Sequence, residues 1–251
     1  SPAATALNEA SAGALQAALD AAGFEGKPGQ TQTLYGLNGV KASLVLVVGA
    51  GDAEAINLQQ WQKIITSAMK ALPNKMSKVA STLCELPVAG RDLNERISDH
   101  ARFALAASYR FDAYKTKKPT TEAAKVKLTL AIADKAELKA AKEALVWGQC
   151  IGTGQNFARD LGNQPANVAY PGYLAEMALA LGDDGNMKVD VKGDAELRKM
   201  GMHCLLSVSA GSAHEAQLVT MTYSGGKAKD APVVLVGKGI TFDTGGISLK
   251  P

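Results

Sequence analysis

Apolar residues from Leu7 to Ala22 recur at the three- and four-residue intervals of a helix, and Gly23, Gly26, Pro28 and Gly29 end the pattern. The spacing predicts one helix and a turn. Thr31 to Leu37 alternates like a strand, and Ser43 to Val48 is a continuous apolar run closed by Gly49-Ala50-Gly51, the form of a buried central strand. Helices over about Leu58 to Leu72 and Asp92 to Tyr109 alternate with strands at Lys78 to Leu83 and Lys125 to Ile132. That alternation predicts an α/β domain with a largely parallel sheet. Ala136 to Leu161 reads as one long helix able to bridge two domains, since no proline interrupts it before Pro165. Beyond Asn163-Gln164-Pro165-Ala166-Asn167 the pattern restarts with helix Gly172 to Leu181, strand Lys188 to Val191 and helix Ala195 to Met200. Strands at Leu205 to Ser209, Leu218 to Tyr223 and Val233 to Val236 follow. The expected organisation is an N-terminal α/β domain over residues 1–140, a linking helix over 141–162, and the first part of a second α/β domain over 163–251.

Composition narrows the class without choosing a function. The 251 residues are 47% hydrophobic and 20% charged, enough apolar content for a sizeable core. A net charge of +3 is spread among interspersed acidic and basic residues, so no basic stripe points to nucleic acid. The densest basic group, Lys115, Lys117 and Lys118, reads as a solvated loop. Cys84, Cys150 and Cys204 form no CxxC pair, which excludes a zinc ribbon or a dense disulfide framework and suits a reducing compartment. No apolar run approaches the roughly 20 residues needed to cross a bilayer, and Ser1 to Leu19 lacks a basic leader segment. A cytoplasmic protein is expected, with no membrane partner. Because the chain opens at Ser1 and closes at Lys250-Pro251 directly after a Gly-rich turn, both ends are expected to be interior to a longer protein.

The segment that carries chemistry is VVLVGKGITFDTGGISLKP, residues 233–251. An apolar run delivers the chain to Gly237-Lys238-Gly239, a second Gly-rich turn surrounds Asp243, and Lys250 follows. The strand ending at Val236 is expected to be central, with Lys238 and Asp243 pointing into one pocket at its C-terminal end, where open α/β sheets place their sites. Other candidates are weaker. Val48-Gly49-Ala50-Gly51 follows a strand like a dinucleotide loop, but Glu54 stands where the third glycine of GxGxxG belongs, and a tight βα turn is the simpler reading. His100, His203 and His214 form no HExxH and read as surface or packing residues. No GxSxG elbow is present. Trp61 and Trp147 read as core or helix-contact residues, and Arg159-Asp160 as a structural pair.

GKGITFDTGGISLKP closely resembles the signature of the leucyl aminopeptidase family, the cytosol aminopeptidases, written G-K-G-x-x-F-D-[ST]-G-G-x-x-x-K-P. Asn156-Phe157-Ala158-Arg159-Asp160-Leu161-Gly162-Asn163-Gln164-Pro165-Ala166-Asn167 resembles that family's entry to its catalytic domain, and Gly26 to Thr31 a stretch of its N-terminal domain. The resemblance implies a macro-like N-terminal domain followed by the start of a dimetal aminopeptidase domain. It further implies two divalent ions, Mn²⁺ or Zn²⁺, with Lys238 a ligand of one, Asp243 binding or bridging both, and Lys250 the catalytic lysine. Those roles are chemically coherent. An amine coordinates only when neutral, a carboxylate offers two oxygens to a pair of ions, and a charged lysine can stabilise an oxyanion. The implied substrates are peptides with a free N-terminus and an apolar first residue such as Leu, and the implied assembly is a homohexamer. The family's further metal ligands and its catalytic arginine fall beyond Pro251, so these 251 residues alone are expected to be inactive. The alternative reading is a DNA-binding accessory protein built on the same fold.

Overall fold

The structure is a computed structural model and describes residues 1–52, 56–117, 126–227 and 229–242, without the side chain of Asp184. The chain forms two compact units, Ser1–Arg159 and Asp160–Pro251. Both are built of mixed helices and strands, giving an α/β fold.

The first unit opens with α1 (Pro2–Ala10) and α2 (Ala14–Ala21) instead of the single helix expected from periodicity. Ala12 at φ 51° and Gly13 at φ 83° both take the left-handed conformation, which breaks the helical hydrogen-bond ladder while leaving the apolar spacing intact. Next come β1 (Thr31–Tyr35) and β2 (Leu44–Val48), an antiparallel pair in which Thr31 faces Val48 and Tyr35 faces Leu44. All five residues of β2 are half-buried, so the expectation of a fully buried central strand is corrected. A run of β-branched residues reports strand propensity but not the number of neighbours the strand acquires.

Helices α3 (Leu58–Ala71) and α4 (Leu93–Ala107) each begin with a capping box. Asn57 Oδ1 accepts from the Gln60 amide at 2.9 Å and Gln60 Oε1 from the Asn57 amide at 2.9 Å. Asp92 and Glu95 repeat the exchange at 2.8 and 2.9 Å. The apolar faces beyond the caps meet. Trp61, Ile64, Ile65 and Ala68 of α3, spaced for one helical face, are buried with Ile56, Leu86, Val88, Phe103 and Ala104. Burial of each such large side chain is worth about 1.5–3 kcal/mol. Strands β3 (Lys78–Ser81) and β4 (Lys127–Leu130) pair in parallel, and a 3-10 turn, Leu83–Glu85, follows β3. The long helix α5 (Leu138–Gly162) lies against α4, burying Ala141 and Ala144 with Cys84 and Ile97. Gly148 and Gly152 permit the approach: a Cβ at Gly148 would run into the Ser98 backbone, and one at Gly152 would sit 2.8 Å from Leu105 Cδ1. Trp61 is buried as expected, but Trp147 is 69% exposed on α5.

His100 is a packing residue. It is 2% exposed, its ring meets Trp61 edge-on at 5.8 Å between centroids, and Nδ1 lies 3.5 Å from Cys84 Sγ. Burial pushes the imidazole down to about 4 from an ordinary 6.5, so His100 is neutral in the folded protein at neutral pH. Burial likewise pushes the Cys84 thiol up to about 12, against a smaller opposing pull from Arg96. Because the folded state binds the His100 proton less readily than the unfolded chain, this site leaves stability unchanged above pH 6.5. It lowers stability progressively as pH falls from 6.5 to 4. The full loss is about 3 kcal/mol. Urea unfolding of the native chain and a His100→Gln variant between pH 7.5 and 4 checks this, and the variant is expected to lack that part of the slope.

The second unit holds α6 (Pro171–Gly185), β5 (Met187–Lys192), α7 (Asp194–Lys199), α8 (His203–Ser209) and β6 (Leu218–Tyr223). Strands β5 and β6 pair antiparallel, Met187 facing Tyr223 and Lys192 facing Leu218. Only β3 and β4 are parallel among the described strands, so the expectation of a largely parallel sheet is not met. Leu205–Ser209, expected as a strand, belongs to α8. Alternation would bury Leu206 and Val208 on one face, whereas Leu206 is 6% and Val208 75% exposed. Leu206 packs with Leu197, Ala216 and Met202, the last one helical turn earlier. Residues 233–236, expected as a central strand, have no regular structure and pair with no strand among the described residues. Their exposure of 74–94% overturns that expectation. An apolar β-branched run becomes a strand only where another backbone accepts its hydrogen bonds.

Candidate functional site

The second unit folds a cavity around the stretch that carries Lys238. Pro171 starts α6 at the position where a missing N–H costs nothing, with Tyr170 preceding it as the N-cap. The Tyr170 ring stacks on His214 at 4.3 Å between centroids and 18° between planes. The loop bearing His214 is held at both ends: its amide donates to Ser212 Oγ at 3.0 Å, and the Ala216 amide to Asp194 Oδ1 at 2.9 Å. Residues Gly237 to Phe242 pass this loop and close, with Leu174 of α6, Leu205 and Val208 of α8 and Leu218 of β6, a cavity of about 770 Å³.

Lys238 lines that cavity, is exposed, and has no hydrogen-bond or ion-pair partner among the described residues. Asp243 and Lys250 lie outside the described residues. Of the three residues singled out by sequence, one is therefore placed, on an irregular segment instead of at the end of a central strand. The cavity wall is mostly apolar, with Ser209, Ser212, His214, Gln217 and Lys238 as its main polar side chains and no carboxylate among the described residues. The described residues include no cluster of three or more His, Cys, Asp or Glu able to hold a metal. Sequence reasoning missed the Tyr170–His214 stack, because two aromatic rings far apart in sequence leave no periodic signal.

The Gly49 region is settled by its backbone. The Gly49 amide donates to the Gln30 carbonyl at 2.7 Å and the Gly51 amide to the Gly26 carbonyl at 2.8 Å. A Cβ at Gly49 would collide with the Gly26–Lys27 peptide, and one at Gly51 would meet the Pro28 ring at 2.7 Å. These glycines give room for a neighbouring backbone, and their N–H groups are not free to cradle a phosphate. Arg159 is structural too: Nη1 donates to the Ala106 carbonyl at 3.1 Å, and the guanidinium lies 5.4 Å from the Tyr109 ring centroid.

Comparison with known proteins decides what kind of chain this is. The description "Cytosol aminopeptidase family, N-terminal domain" matches residues 1–118, and "Cytosol aminopeptidase family, catalytic domain" matches residues 156–251. The chain belongs to the cytosol aminopeptidase family. Relatives named "Probable cytosol aminopeptidase" are 46% identical in Alkalilimnicola ehrlichii and 42% identical in Halorhodospira halophila, each alignment covering 100% of this chain and 51% of the relative. The chain thus spans about half the length of these relatives. Among solved structures, the bottromycin maturation enzyme BotP in complex with Mn superposes with a TM-score of 0.78 at 27% identity, over 93% of this chain and 47% of that one. Membership in the cytosol aminopeptidase family accounts for the order of the two units, since the family's N-terminal match falls within the first and nearly all of its catalytic match within the second. No helix among the described residues is long and apolar enough to cross a membrane.

Proposed function

We propose that the whole protein is a cytoplasmic, metal-dependent leucyl aminopeptidase that hydrolyses the first peptide bond of substrates bearing a free N-terminus and an apolar first residue. The observation that carries this reading is the GKGITFDTGGISLKP segment, lying inside the family's catalytic-domain match with every defining position present. In this reading Lys238 and Asp243 hold two divalent ions, Mn²⁺ or Zn²⁺. The nitrogen and oxygen donors suit such cations, and a structurally similar enzyme is a Mn complex. Lys238 fits the role in one respect, since no carboxylate among the described residues competes for its amine. The ions, when bound, supply an activated water and polarise the scissile carbonyl. Asp243 would help hold the ions through its carboxylate, and Gly245 and Gly246, which follow after Thr244, would let the backbone come close to them. Lys250 remains charged and donates to the oxyanion that forms as the carbonyl is attacked. The apolar cavity beside Lys238 offers a surface for an aliphatic side chain. The family relationship extends the proposal to a homohexamer.

The test is release of p-nitroaniline from leucyl-p-nitroanilide by the whole protein, with and without EDTA and with Mn²⁺ or Zn²⁺ restored. Activity lost to EDTA and regained with metal is expected. Absence of turnover with either metal, or turnover indifferent to EDTA, would contradict the proposal.

A further inference from the structure

The first unit contains a cavity of about 620 Å³ where the C-terminal ends of α3 and α4 meet β4 and α5. Leu128 and Leu130 line it from one face of β4, together with Leu105 of α4 and Leu145 of α5. It lies where the unit's two hydrophobic clusters meet, since Leu128 packs on the first and Leu130 and Leu145 on the second. The cavity opens to solvent, and Asn74, Ser108 and Gln149 join the leucines in its lining. It falls within the roughly 300–1,000 Å³ of small-ligand pockets.

The polar lining has one sign of charge. Lys70, in the last turn of α3, and Arg110, just past the end of α4, both border the cavity, and no carboxylate lines it among the described residues. Neither cation has an ion-pair or hydrogen-bond partner among the described residues. An anion bound here would meet two cations and no carboxylate among the described lining residues. A cationic or zwitterionic ligand would leave its positive end without a partner. We propose that this cavity binds a small amphiphilic anion, an aliphatic carboxylate whose chain lies on the leucines and whose head group meets Lys70 and Arg110. The site is independent of the metallopeptidase reading and uses none of its residues.

Calorimetric titration of the whole protein with octanoate, octylamine and octanol tests the assignment. Octanoate is expected to saturate at one per chain and to raise the melting temperature, as a ligand selective for the folded state must. Octylamine is expected not to bind. Lys70→Glu and Arg110→Glu, both at exposed positions, are expected to weaken octanoate about tenfold or more each, with octanol unaffected. Failure of octanoate to saturate, equal binding of octylamine, or charge reversals without effect would overturn the proposal. A melting temperature of the unliganded variants matching that of the native chain identifies the loss as one of binding.

Discussion

Replacing Lys250 by alanine in the whole protein is expected to lower kcat for leucyl-p-nitroanilide about 10²–10³-fold while leaving bound metal unchanged. Asp243→Ala is expected to lower both. The distinction follows from the roles proposed for the two side chains. A lysine that donates to the oxyanion acts only when negative charge develops, so its removal raises the barrier without touching the ground-state ligand set. A carboxylate shared between two ions is part of that ligand set, and its loss also empties the site. Assays under saturating Mn²⁺, paired with elemental analysis of the purified variants, separate the two outcomes. An active Lys250→Ala protein, or one that loses metal as Asp243→Ala does, would show that the family roles do not carry over to these positions.

The second large effect concerns two glycines six residues apart on α5. Gly148→Ala is expected to destabilise the fold by roughly 2–3 kcal/mol, because the new methyl group would meet backbone atoms of Ser98, which no side-chain rotation can clear. Helices α4 and α5 would have to separate. Gly154, on the same helix, has nothing within 4 Å of its added Cβ. Gly154→Ala is therefore expected to stabilise by roughly 0.5–1 kcal/mol, the helix-propensity difference between the two residues. Urea denaturation of the two variants beside the native chain measures both. Similar shifts for the pair would mean that α5 does not rest on α4 through Gly148.

Much of the fold was legible where local signals and tertiary demands agree. Helices α3 and α4 carry helical periodicity together with capping residues, and their observed limits fall within two residues of those predicted. The breaks between α1 and α2 came from two left-handed residues, which leave no mark on hydrophobic spacing. Leu205–Ser209 was read with the wrong period, because five residues are too few to tell alternation from one and a half helical turns. Residues 233–236 show the opposite limit: propensity was plain, but a strand is a relation between two backbones, and its partner is not written in its own residues. The site divides similarly. The motif around Lys238 was legible as a string, since it resembles the family signature position by position. The cavity beside it was not, because Leu174, Leu205, His214 and Leu218 come from separate elements and converge only on folding.

The paired caps on α3 and α4 bear on the order in which the molecule assembles. Each first turn is closed by residues three apart, Asn57 with Gln60 and Asp92 with Glu95, so almost no chain entropy is spent in reaching it. Those turns are available on the submicrosecond scale of helix formation. The β3–β4 ladder instead joins Lys78 to Lys127, a closure that must wait for a long intervening chain to be brought in. Once formed, α3 and α4 can bring Trp61, Ile64 and Phe103 together early and so offer the later strand pair a surface already in place.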